Sequence, residues 1–240
     1  MPDAHPLALY GVRAGYGRIE VLHGVDLAVH RGQVTALLGP NGAGKTTALS
    51  VMSGLIAPAA GCRHVGGQHL NGADADALAR VGVSHVREGR SVFPNLSVDD
   101  NLSVATSCGA SLERLRGLAF TLFPRLGERR RQLAGSLSGG ERQMLALACA
   151  LGTDPSVLLI DELSTGLAPM VVAALYQAVA DVAAAGVSVL VVEQFATIGL
   201  RHATDAYVMA HGVVTYAGPS DGASEAIHAA YLGIERHQVA

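Results

Sequence analysis

Three short stretches of this chain put polar and charged residues where an apolar run ends. The first, GPNGAGKTT at 39–47, follows QVTALLG and fits G-x-x-x-x-G-K-[ST] through Gly39, Gly44, Lys45 and Thr46. Glycines at this spacing let backbone N–H groups approach phosphate oxygens, and a helix starting behind them adds a favourable partial charge. Asn41, Gly42, Ala43 and Thr47 complete the stretch. Lys45 is placed to reach the β- and γ-phosphates, and the Thr46 hydroxyl to ligate Mg²⁺. Lys45 is also the one lysine in a chain with sixteen arginines, so that position calls for an ammonium specifically. The expected ligand is a nucleoside triphosphate.

The second stretch, SVLLIDEL at 156–163, is a buried strand ending in two acids. Asp161 is placed to hold Mg²⁺, and Glu162 to orient and polarise a water for in-line attack on the γ-phosphate. A capped strand edge is the lesser alternative for such a pair, and the phosphate loop upstream weakens it further. The third is GVSVLVVEQFAT at 186–197, where a β-branched run following a Gly meets Glu193-Gln194. Polar groups at the carboxyl ends of parallel strands lie where open α/β sheets bind their ligands.

The elements that must position these residues follow from pattern. Residues 7–37 read as short strands, LALYGV, VLHGVDLAV and QVTALLG, with a turn at His30-Arg31-Gly32. A helix is expected from Thr46 to Ile56, stopped by Ala57-Pro58, then a loop-rich stretch over 59–80 and a strand at 81–86. From 96 to 152 the pattern turns helical; SVDD and SGGE both look like helix starts with an N-cap hydroxyl and an acid three residues on. The charge run GERRR at 127–131 reads as a solvated face. Strand VLLID, helix 169–185, strand 187–192, two strands around AYVMAHGVVTYAG and a helical tail at 221–234 complete the chain. The fold class is α/β, an alternating core interrupted by a helical insertion.

Composition sets the outer limits. A chain of 240 residues, 50% hydrophobic, supports one large domain with a real core. A net charge of −3 argues against a nucleic-acid footprint. Cys62, Cys108 and Cys149 are odd in number and suit a reducing compartment. CRHVGGQH, with Cys62, His64 and His69, reads as a surface turn rather than a metal site. The N-terminus lacks a signal-peptide pattern, and the apolar stretch 171–192 is broken by Gln177, Asp181 and Gly186. The expectation is a cytoplasmic chain with any membrane role exercised through a partner.

LSGGERQ at 137–143 narrows the class. Ser138 and the Gly139 and Gly140 amides at a helix start make an anion site, followed by Glu141. The stretch resembles the LSGGQ signature of ABC transporter nucleotide-binding subunits, and the resemblance extends over nearly the whole chain. AGYGRIEVLHGVDLAV, VREGRSVFPNLSVDDNL, DELSTGLAP, VVEQ and AAYLG look like the LivF-type ATPase of branched-chain amino-acid importers. The resemblance implies a P-loop NTPase core with an N-terminal antiparallel β element, formed by 7–87 and 153–240, and an inserted α-helical subdomain at 88–152. It implies ATP and Mg²⁺ as ligands, and Tyr16 stacked on adenine. It implies a head-to-tail dimer, of identical or related chains, in which the signature of one subunit caps the γ-phosphate held by the other. Transmembrane permease subunits on the cytoplasmic face of the membrane would be the direct partners, with a solute-binding protein engaged only indirectly.

Four positions depart from the general family pattern. Glu88, in REGR, stands where most relatives place a glutamine, and is expected near Mg²⁺ or the attacking water; Arg87 replaces the Pro of the LivF-like group. Leu163 replaces the Pro after the catalytic acid, which frees φ and puts the stiffness of that loop in question. Ala168 stands where many relatives have Asp. Gln194 takes the place of the histidine that senses γ-phosphate; its amide can donate to phosphate but cannot become a cation near neutral pH. Other ABC systems (urea import, lipopolysaccharide extraction), a DNA-repair or ribosome-associated ATPase, and a regulator with dead chemistry are the rival readings. The missing histidine argues against lipopolysaccharide extraction, the lack of a second cassette or long coiled-coil insertion against the repair or ribosome-associated class, and the intact Lys45, Asp161 and Glu162 against dead chemistry, while urea import stays open.

Overall fold

The structure, a computed structural model, describes residues 5–87, 89, 91–106 and 111–232. Strands β1 (Leu7–Tyr16) and β2 (Ile19–Val29) form an antiparallel hairpin, followed by β3 (Val34–Leu38) and helix α1 (Lys45–Met52). Next come β4 (Ala60–Val65), β5 (Gln68–His69), α2 (Ala75–Arg80) and β6 (Val83–Val86). Helices α3 (Val98–Ala105), α4 (Leu112–Leu122), α5 (Pro124–Glu128) and α6 (Gly139–Ala150) lead to β7 (Val157–Asp161). Helix α7 (Pro169–Ala184), β8 (Ser188–Glu193), α8 (Ala196–His202), β9 (Asp205–Ala210), β10 (Val213–Pro219) and α9 (Ser224–Leu232) complete the order.

Two sheets result, an antiparallel one in the order β2-β1-β4-β5 and a larger one in the order β10-β9-β3-β8-β7-β6. In the larger sheet β3, β6, β7, β8 and β9 run parallel, and only β10 is antiparallel. Its central strands are buried on both faces, which explains their unbroken apolar composition. The period of two still sorts them. Leu159, Leu190 and Val192 face a core shared with α1 and the antiparallel sheet, while Leu158, Ile160, Val189 and Val191 face a core shared with α3, α4, α6 and α7. The inserted helices therefore pack into the core of the sheet rather than around one of their own.

Two expectations need correction. Helix α1 stops at Met52 rather than Ile56, because Gly54 takes φ 78° and sits against the backbone of Asp74, where a Cβ would lie 2.7 Å from the Asp74 carbonyl carbon. The stretch 59–80 is not mainly loop: β4 pairs with β1 and turns back tightly into β5, and Asp74 caps α2. Glycines at 61, 66 and 67 mask this strand from a periodicity reading. GERRR is a solvated face as expected, with Glu128, Arg130 and Arg131 exposed, while its backbone and Arg129 are held. The Arg130 and Gln132 carbonyls accept from the first-turn amides of α3, and Arg129 reaches Glu141 at 3.1 Å. Both capping boxes form, at Ser97 with Asp100 and at Ser138 with Glu141.

Candidate functional site

Parallel register brings the ends of three neighbouring strands level. Leu38 of β3 pairs with Glu193 of β8, and Val192 with Asp161 of β7. The stretch 39–47 leaves β3 at this edge, Asp161 and Glu162 end β7 there, and Gln194 follows β8. The sequence-predicted acids and the phosphate loop are thus assembled at one edge by strand pairing.

The loop is held from behind. Gly39 lies so close to β9 that a Cβ would fall 2.2 Å from the Met209 carbonyl oxygen. The Ala43 carbonyl accepts from the Gly212 amide at 3.0 Å, and the Gly212 carbonyl accepts from His23 at 2.9 Å, so the β9–β10 turn clamps the loop against β2. Lys45 is buried, and its Nζ donates to the carbonyls of Gly39 (2.7 Å) and Pro40 (3.0 Å). Burial lowers its pKa, opposed by the charges of Glu162 and Asp161. Helix α1 begins behind Gly44 with no side-chain cap and no acid in its first turn. Asn41, Gly42 and Thr46 are exposed, while Ala43, Gly44 and Thr47 are buried beneath them. An uncapped helix start, an ammonium held on carbonyls and an exposed hydroxyl fit a polyphosphate with its divalent ion.

Glu162 has φ 49°, in the left-handed region that disfavours a side chain. Its amide donates to the Val192 carbonyl at 3.0 Å, and its Oε2 accepts from the Thr165 hydroxyl at 2.8 Å. Leu163, where the Pro is missing, is fully buried in the helical core. The next residue is fixed most firmly: the Glu193 carboxylate accepts from the Ser164 amide (3.1 Å), the Ser164 hydroxyl (2.7 Å) and the Tyr176 hydroxyl (2.8 Å). These bonds hold the loop around Leu163 in the absence of a Pro. Burial raises the Glu193 pKa, while the Ser164 and Tyr176 bonds oppose the rise. Sequence reasoning concentrated on Gln194 and missed this network. The signal was period two, since Glu193 follows Val189 and Val191 onto the α7 face. Gln194 is half-buried, and its backbone carbonyl accepts from Tyr231 of α9.

The signature stretch lies apart, in the helical layer. Ser138 and Gly139 are exposed at the start of α6, whereas Gly140 abuts Val171, where a Cβ would fall 2.5 Å from Cγ1. Glu141 is turned inward. Its Oε2 accepts from the Ser138 amide and hydroxyl, both at 2.9 Å, and the first of these bonds contributes most to its lowered pKa. Tyr16, at the end of β1, is 54% exposed, leaving much of its ring open. Glu88 lies outside the described residues.

The ABC transporter family profile matches residues 22–165, and a branched-chain amino-acid transport ATP-binding protein, BraG of Pseudomonas aeruginosa, is 37% identical over 91% of this chain and 95% of its own. This chain belongs to the ABC transporter family. It is an ATP-binding cassette, an ATPase, of the kind that serves as a transporter subunit. A probable LivF from Archaeoglobus fulgidus is 32% identical over 88% of the cassette and 90% of its own length. A Nod factor export ATP-binding protein of Cupriavidus pinatubonensis is 38% identical over 79% of the cassette and 58% of its own length. The fold is shared with a crystallised ABC transporter cassette in its ADP conformation, at a TM-score of 0.85 and 23% identity over 96% of this chain and 100% of that one. Among the described residues no helix of the cassette is long and apolar enough to cross a membrane.

Proposed function

We propose that this cassette powers uptake of branched-chain amino acids, as an ATPase subunit seated on the cytoplasmic face of a membrane permease. The observation that carries this reading is the end-to-end match to BraG. The Nod factor export relatives cover a smaller share of the cassette and of themselves, which favours shared machinery over shared cargo.

In this reading residues 7–87 and 153–240 form the nucleotide-binding body and 88–152 the helical part that meets the permease. Phosphate oxygens replace the Gly39 and Pro40 carbonyls as partners of Lys45, while the loop amides from Asn41 to Thr47 surround them and Tyr16 stacks on the adenine. Thr46, Asp161 and Glu88 would hold Mg²⁺, which supplies charge neutralisation on the phosphates when bound. Glu162 turns from Thr165 to orient the attacking water and accept its proton, and the Gln194 amide donates to the γ-phosphate. Ser138, Gly139 and Gly140 present the start of α6 to the nucleotide of a second subunit, identical or related. Glu141 serves that surface from within, by holding Ser138.

The test is ATP turnover by the cassette assembled with its permease in proteoliposomes, with binding protein and leucine, isoleucine or valine. Several-fold stimulation by these solutes is expected; stimulation by urea alone, or by no amino acid, would sink the cargo assignment. Glu162→Gln should hold ATP and remain dimeric. A Gln194→Ala variant hydrolysing at the wild-type rate would remove Gln194 from the site.

A further inference from the structure

On the outer face of the antiparallel sheet, three residues without a part in nucleotide chemistry converge. Cys62 and His64 alternate with Arg63 along β4 and therefore share a face. Gly66 and Gly67, with φ of 56° and 81°, make a two-residue turn of the kind that fixes hairpin register, and His64 pairs with His69 of β5. The Leu70 amide donates to the Arg63 carbonyl at 2.9 Å, so His64 and His69 occupy the neighbouring non-hydrogen-bonded position, where side chains approach most closely. Their rings stack at 5.4 Å, with Tyr10 edge-on to His64 at 5.3 Å. One ligand atom from each of Cys62, His64 and His69 lies within 4.8 Å of the other two.

The strand beneath is rigid. Arg63, on the opposite face, is fully buried, and its guanidinium donates to the carbonyls of Val51 (2.6 Å), Leu70 (2.5 Å) and Ala73 (2.5 Å). The two residues flanking it are held in place while their side chains stay at the surface. Ligands around a tetrahedral zinc stand about 3.3–3.7 Å apart, so closure requires small ring rotations of a half-buried and an exposed histidine.

We propose that Cys62, His64 and His69 form a surface site for a thiophilic divalent ion of the zinc class, bound by one thiolate and two imidazoles. Three protein ligands leave a coordination position open to water or a fourth donor. A thiolate excludes hard ions such as Mg²⁺, which keeps this site chemically distinct from the nucleotide edge. Binding joins β4 to β5 and stabilises the hairpin through preferential affinity for the folded chain.

The test uses the full chain, nucleotide-free and stripped with a chelator, titrated with cobalt(II) as a spectroscopic stand-in and then with zinc. One equivalent of cobalt should give a thiolate-to-metal charge-transfer band that zinc bleaches. Cys62→Ser should abolish the band, His69→Ala should weaken binding at least about tenfold, and Cys108→Ser should leave it intact. Cys149 is no source of confusion, because burial pushes its thiol up to about 12. A band that survives Cys62→Ser, or wild-type zinc stoichiometry matched by the Cys62→Ser/His69→Ala double variant, would overturn the site. Thermal midpoints without metal show whether each variant is folded.

Discussion

Glu193 and Ser164, 29 residues apart in sequence, are joined twice, by amide and by hydroxyl, at 3.1 and 2.7 Å. The pair ties the end of β8 to the loop carrying Glu162. If Glu162 acts as proposed, its loop is positioned by a buried acid that touches neither nucleotide nor water.

Ser164→Ala removes one of those bonds and leaves a buried carboxylate short of a donor. It should cost about 1–3 kcal/mol of unfolding free energy. If Glu193 positions the loop carrying Glu162, kcat should fall while KM for ATP changes little, and Ser164→Thr should recover much of the loss. Equal kcat in wild type and Ser164→Ala would detach Glu193 from catalysis.

Arg63 is a buried cation whose partners are backbone carbonyls, one of them near the C-terminus of α1. Burial lowers its pKa. Arg63→Met fills similar space but orphans the carbonyls of Val51, Leu70 and Ala73, so the expected loss is about 3 kcal/mol in urea denaturation. A loss under about 0.5 kcal/mol would mean that water reaches those carbonyls.

Ala168 is the N-cap of α7, in extended conformation, exposed, and without a side-chain oxygen for the helix amides. Ala168→Asp should therefore raise stability by about 1 kcal/mol and increase the denaturation midpoint. An unchanged or lower midpoint would show that the carboxylate is drawn elsewhere.

The ring nitrogens of half-buried His85 in β6 are buried with neither hydrogen-bonded, and burial, helped by the charge of Arg87, lowers its pKa to about 4. The unfolded chain takes up the proton first. The native state is therefore fully favoured above pH about 6.5, and loses stability as pH falls toward about 4. Between about pH 7.5 and about pH 5 the loss should approach 2 kcal/mol. His85→Leu should flatten that part of the profile; an identical slope in the variant would place the titration elsewhere.

The phosphate-loop, paired-acid and signature stretches, and the elements that carry them, were legible in the sequence. Local spacing determines their chemistry: a glycine loop before a helix start, two acids closing an apolar run, a hydroxyl and acid boxing a helix N-terminus. Such patterns act over a few residues, so the chain states them directly. Strand β4 was hidden because glycines break its periodicity and its pairing with β1 is a long-range choice. Only the tertiary structure decided that Leu163 is anchored by burial, that Glu193 fastens the loop carrying Glu162, and that Cys62, His64 and His69 meet. Each depends on which strand lies beside which and on the parity of its faces, and that is fixed by sheet register across residues far apart in the chain.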